Sequence, residues 1–148
     1  MSLQTWAADG RLVPHKTTRV EMANFLAMAQ HDLEQCRVEG LSSGWRLNIA
    51  YNGLLQAATA ALAASGYRAP AGEGHHYFVL QSLAFTVGFE EVAARKLDTL
   101  RKKRHNATYG HPGAVSDAEA SDALKLITES CAKIEAWLRK NHSDLIAR

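Results

Sequence analysis

An all-α fold, an up-and-down bundle of four to five helices in a single domain over 1–148, follows from three features of the sequence. Apolar residues return at spacings of three and four through most of the chain, which marks one face of a helix. Hydroxyl-x-x-carboxylate segments precede two of these runs, the arrangement that satisfies the orphaned N–H groups at a helix start. No stretch of useful length alternates with the period of two that a half-buried strand requires, and there is no internal repeat or low-complexity tract.

In chain order, residues 1–16 carry Trp6, Leu12, Val13 and Pro14 among Asp9 and Gly10. They are too broken for a regular element and read as an arm that packs Trp6 onto the body. Thr18-Arg19-Val20-Glu21 has the form of a capping box and opens the first long helix. Its inward positions are Met22, Leu26, Ala29, Leu33 and Cys36, widened by Phe25 and Met28, and Gly40 is expected to stop it. Ser42 or Ser43 caps the second helix, where Leu47, Ala50, Tyr51, Leu54, Ala58, Ala61 and Leu62 run down to Ser65-Gly66. So many alanines suit a central, closely approached helix. Asn48 and Asn52 lie one turn apart on it, either facing the basic stretch described below or bonding locally.

Ala69-Pro70-Ala71-Gly72-Glu73-Gly74 is a loop by composition. His75-His76 open a third, shorter helix through Phe78, Leu80, Leu83 and Val87 to Gly88, and the fourth runs from about 89 to 106. Gly110 and Pro112-Gly113 then turn the chain. Ser116-Asp117-Ala118-Glu119 is a second capping box, and Ala120, Ala123, Leu124, Ile127, Cys131, Ile134 and Leu138 carry the final helix to about Lys140.

Bulk properties narrow the function. The chain has 148 residues and 47% hydrophobic content, one domain's worth with enough apolar material for a core. With 17 Lys and Arg against 15 Asp and Glu, the net charge is +2, so affinity for nucleic acid must come from a local patch. Cys36 and Cys131 have neither the count nor the spacing of a disulfide framework or zinc site, which fits a reducing cytoplasm. Met1 to Trp6 lack a basic n-region and an apolar h-region, and no stretch reaches about 18 uninterrupted apolar residues. A soluble, cytoplasmic protein without membrane association is expected.

The chemistry concentrates in Arg101-Lys102-Lys103-Arg104-His105-Asn106-Ala107-Thr108-Tyr109-Gly110-His111. Ala93, Leu97, Leu100, Arg104 and Ala107 share one helical face, so Arg104 continues an apolar stripe. A guanidinium there costs several kcal/mol unless it is paired or faces a cleft that supplies acceptors. A solvated helix end, where cations offset the macrodipole, accounts for Lys102 and Lys103 but not for Arg104.

Other chemistries lack their residues. Glu73-Gly74-His75-His76 is one literal Glu-x-x-His, but it lies in a glycine-rich loop without the twin that a di-iron bundle needs, so neither a metal site nor a cofactor is expected. Gly-x-Ser-x-Gly and the phosphate-loop signature are absent. Acid–base work on a phosphodiester remains. It needs one group to take the 2′-OH proton, another to protonate the leaving oxygen, and a cation for the phosphoryl charge. Arg104 supplies the fork for the phosphate, His111 or His105 the proton carrier, and Asn106 or Tyr109 an orienting polar group. Arg101 adds charge, and His75 and His76, at a helix start where N–H groups attract anions, are further candidates for the same cleft.

The pattern from Arg104 to His111, Arg-x6-His at the end of a long helix, resembles the HEPN family of small helical bundles, whose ribonuclease members share Arg-x(4 to 6)-His. The resemblance takes in Leu100 to Arg104, Asn106, Tyr109-Gly110, Ala50-Tyr51-Asn52, Gly66-Tyr67-Arg68 and His75-His76, and spans about residues 17 to 140. It implies a homodimer whose two motifs meet in an RNA-binding cleft, often a toxin or defence effector beside a small nucleotidyltransferase antitoxin. The chain departs from the common pattern at His105, where Asn is usual, and at Tyr109, which occupies the shortest histidine spacing. Those departures, with the near-neutral charge, leave two expectations: a metal-independent endoribonuclease, or a non-catalytic helical module that binds RNA, a nucleotide or a nucleotidyltransferase.

Overall fold

The computed structural model describes residues 1–111 and 113–146, so Pro112 of the expected turn lies outside the described residues. Six α-helices are present among the described residues: α1 (Leu3–Ala8), α2 (Arg19–Gln35), α3 (Ser43–Ala64), α4 (His75–Gln81), α5 (Glu91–Tyr109) and α6 (Asp117–Asn141). A 3₁₀ turn, Ser82–Ala84, extends α4, and another, Ser143–Leu145, follows α6. The fold is all-α apart from a two-stranded ribbon in which β1 (Val13–Pro14) pairs antiparallel with β2 (Tyr67–Arg68).

Helix α3 is the axis of the bundle, packed by α2, α6, α5 and α4. Its composition explains this position: Leu47, Ala50, Leu54, Ala57, Ala58, Ala61 and Leu62 are all buried, and a helix apolar on every side must be enclosed. Small side chains let neighbours come close, most of all at Gly53. A methyl group there would stand 3.1 Å from the Asp32 Cβ and 3.2 Å from the Ala29 carbonyl oxygen. Beside it the Asn52 amide donates to Asp32 at 2.8 Å, tying α3 to α2. Gly53→Val therefore forces the two helices apart, at a cost of about 1–3 kcal/mol. A lowered urea midpoint is the expected result, and an unchanged one would show that α2 moves aside freely.

Helix starts follow their caps. Ser42 accepts from the Trp45 N–H, and Ser116 with Glu119 forms a full reciprocal box. At Thr18 only half the box forms. The hydroxyl accepts from the Glu21 N–H, but the Glu21 carboxylate turns away to Thr17 at 2.8 Å and His15 at 2.7 Å. Helix α2 ends at Gln35, short of Gly40, where Arg37 folds back to donate to the Leu33 carbonyl at 2.6 Å. On its inward face Met22, Ala29 and Cys36 are buried, whereas Met28 is exposed.

Two expectations need correction. The first residues form a regular helix, α1, because Ser2 and Thr5 make a reciprocal capping box and Leu3 and Trp6 share its buried side. Trp6 packs edge-on against Phe78 and Phe85, with ring centroids 5.6 and 5.0 Å away. The ribbon was also unforeseen, since each strand has two residues, too few for an alternation to show. His15 extends it by donating its backbone N–H to the Gly66 carbonyl at 2.8 Å.

Candidate functional site

The site is built on α5, which is anchored to the bundle by buried Ala94, Leu97 and Leu100. The next position on that face is Arg104, and Ala107 beyond it faces Gly44 at the start of α3. Of the four consecutive cations, three have carboxylate partners. Arg101 Nε meets Asp98 at 2.8 Å, Lys102 Nζ meets Asp98 at 3.5 Å, and Lys103 Nζ meets Glu119 at 3.4 Å. Arg104 makes no ion pair among the described residues. Its guanidinium carbon stands 5.6 Å from the centroid of the Tyr51 ring, and its Nε is buried without a hydrogen bond. A cation stacked on an aromatic face retains its charge but lacks acceptors.

Opposite Arg104 is the start of α4. A cleft of about 440 Å³ lies between the two helices, lined by Arg101, Arg104 and His105 on one wall and by His75, His76 and Tyr77 on the other, with Gly72 and Gly74 at its lip. No carboxylate is among its lining residues. The loop 69–74 reaches this lip through positive-φ backbone at Gly72 and Gly74, which glycine adopts without strain.

Both α4 histidines are held by one ring nitrogen. His75 Nδ1 is 3.0 Å from the Pro70 carbonyl oxygen, and His76 Nδ1 is 3.2 Å from the Tyr51 hydroxyl. The two imidazole centroids are 5.8 Å apart. Tyr51 is only 1% exposed, and burial pushes its phenol up to about 12, so it stays protonated at any physiological pH. Burial, followed by the charges of Arg104, His75 and Arg101, holds the His76 imidazole below its usual 6.5. His76 is therefore neutral at neutral pH.

This shift has a consequence for stability. Because the folded chain resists protonating His76 more than the unfolded chain does, the unfolded state binds more protons between the two values. Stability is complete above the unfolded value of 6.5 and declines as pH falls from there toward the lower folded value. His76→Asn removes that component. Between about pH 7.5 and pH 5.5 the wild type is expected to lose more of its melting temperature than the variant does. Parallel losses in the two proteins would show that His76 titrates as a free imidazole.

The remaining sequence candidates divide. His105 lines the cleft, and its ring lies 4.8 Å from that of Tyr109, one turn further along α5. Tyr109 is 71% exposed and Asn106 is also exposed; neither lines the cleft. His111 lies elsewhere, in a groove of about 730 Å³ against the start of α3 that is also lined by Trp45, Asn48 and Thr108. Helix α5 continues to Tyr109 rather than ending near 106, so the five helical steps after Arg104 carry the chain about 7.5 Å along the axis before Gly110 turns it. Among the described residues Arg104 and His111 thus line different clefts, one between α4 and α5 and the other at the start of α3. Of the two asparagines on α3, Asn48 does face the end of α5, accepting from the Thr108 hydroxyl at 2.9 Å.

Sequence reasoning missed Tyr51, Tyr77 and the Pro70 carbonyl. Tyr51 reads as core from its spacing, and it is core; the available signal was a phenol in a stripe of alanine and leucine, which needs a partner for its hydroxyl. Arg101 lies over the Tyr77 ring at 5.6 Å, a contact between helices that spacing along one helix cannot show.

Among the described residues no three His, Cys, Asp or Glu side chains gather as a metal site would require, and no helix is long and apolar enough to cross a membrane. Compared with known proteins, the chain matches no family model, no curated protein and no solved structure.

Proposed function

We propose that this cleft binds a phosphodiester of single-stranded RNA and that the protein is a metal-independent endoribonuclease of the toxin or defence type. The observation that carries the reading is Arg104. It is the one cation of the basic run without a carboxylate partner among the described residues, its Nε is buried, and it lines a cleft whose other charged and titratable groups are an arginine, three imidazoles and the Tyr77 phenol. A planar fork held over an aromatic ring is suited to phosphate oxygens.

Transesterification needs no outside reagent. An imidazole takes the proton as the O2′–H bond breaks, and the O2′ electron pair forms a bond to phosphorus. The P–O5′ bond breaks with its pair going to O5′, which is protonated by a second imidazole, while Arg104 and Arg101 hold the charge on the non-bridging oxygens. His105, which lines the α5 wall, would be the proton donor. The products are a 2′,3′-cyclic phosphate and a free 5′-hydroxyl. The resemblance to the HEPN family, through Arg104 and His111, supports the same reaction and adds a homodimer, in which His111 would serve the cleft of a second copy.

Purified protein is expected to cut single-stranded RNA in excess chelator and leave cyclic phosphate ends. Intact RNA after prolonged incubation, at a protein concentration that binds it, would overturn the assignment. That outcome would favour a second reading, to which the position of His111 also points: a non-catalytic module that holds RNA, a nucleotide or a nucleotidyltransferase partner.

A further inference from the structure

We infer that His75 and His76 are locked in opposite tautomers, so that His75 offers a lone pair to the cleft as the general base while His76 offers an N–H to the phosphate. The assignment rests on the RNA-cleaving reading for its chemistry, but not for its geometry. A backbone carbonyl can only accept, so the 3.0 Å contact between His75 Nδ1 and Pro70 requires the proton on Nδ1. In the neutral ring Nε2 is then unprotonated. Free imidazole in water prefers the other tautomer, and the loop 69–74 imposes the rarer one.

His76 is held the opposite way. The Tyr51 phenol is buried and stays protonated, and its hydroxyl has a single hydrogen-bond partner among the described residues, His76 Nδ1 at 3.2 Å. A buried hydroxyl donates where an acceptor is in reach, so Nδ1 is the acceptor and the proton of neutral His76 lies on Nε2. Two adjacent residues at the start of α4, with rings 5.8 Å apart, thus present one acceptor and one donor to the same space.

This division matches what the reaction asks of one wall. His75 Nε2 takes the proton from O2′, and His76 Nε2–H joins Arg104 on a non-bridging oxygen. The donor of the leaving-group proton is His105, across the cleft on α5. Such a disposition puts base and acid on opposite walls of the cleft, in keeping with the opposed nucleophile and leaving group of an in-line displacement.

The test has two parts on the full-length chain. Long-range ¹H–¹⁵N correlation spectra of the imidazole side chains at mildly alkaline pH are expected to show His75 protonated at Nδ1 and His76 at Nε2. A neutral His75 protonated at Nε2, or the same tautomer at both residues, overturns the inference whether or not RNA is cut. For the role as base, His75→Gln is expected to lower cleavage by about 10²–10⁴-fold. Cleavage by that variant at the wild-type rate overturns the role of His75 alone, whereas a wild type that binds RNA without cutting it overturns the proposed activity and the role of His75 with it.

Discussion

Arg104→Ala is expected to lower RNA cleavage by about 10²–10³-fold, the loss typical when one preorganised donor to a developing oxyanion is removed. Stability is expected to move the other way. The guanidinium is partly buried, its Nε has no acceptor, and the nearby carboxylates of Asp98 and Glu119 pair with the other three cations of the run. Removing a desolvated, unpaired cation relieves the bundle, so the melting temperature of the variant should equal or exceed that of the wild type. Arg104→Lys keeps the charge but loses the fork and the stacking on Tyr51, and should recover only a small part of the activity. Rates measured with chelator present, beside thermal unfolding curves, separate the cases. A destabilised Arg104→Ala protein that still cuts RNA would mean that the guanidinium serves the fold.

The anomaly at Arg104 was legible in the sequence because it is a local statement. A helix repeats every 3.6 residues, so an arginine in register with Leu97 and Leu100 must point inward whatever surrounds it. The caps at Ser42 and Ser116 were legible for the same reason, since each is satisfied three residues away. His75 and His76 were legible as the start of a helix next to a glycine-rich loop, although their bonding partners were not.

What could not be read is of a different kind. The Tyr51 hydroxyl and His76 are 25 positions apart, and their contact exists only because α4 folds back across α3. Counting along the chain also did not show which groove of the chain His111 lines, because that depends on how far the helix continues past the arginine. Gly110 does end it, but only after Tyr109, and the backbone there is so tight that any Cβ at Gly110 would collide with the Asn106 carbonyl oxygen. The helix α1 was hidden by its length, and its cap uses Thr5 where Glu or Gln is the familiar signal.

Tyr51→Ala is expected to cost about 3–5 kcal/mol, which is a large share of the 5–15 kcal/mol that holds a typical domain together. The ring is among the largest fully buried side chains, sits on the central helix, and forms the face on which Arg104 rests. Its loss leaves a cavity that neighbouring alanines are too small to fill. Tyr51→Phe separates the two duties of the residue. It keeps the packing and the aromatic face, and removes only the hydroxyl that reaches His76, for a net cost of about 0.5–1.5 kcal/mol. Urea unfolding of the two variants measures the difference directly. If phenylalanine proves as damaging as alanine, the hydrogen bond to His76 rather than the buried ring joins α3 to α4. If phenylalanine is nearly neutral in stability yet slows RNA cleavage, the hydroxyl acts on the orientation of His76, and the core helix sets the geometry of the cleft it supports.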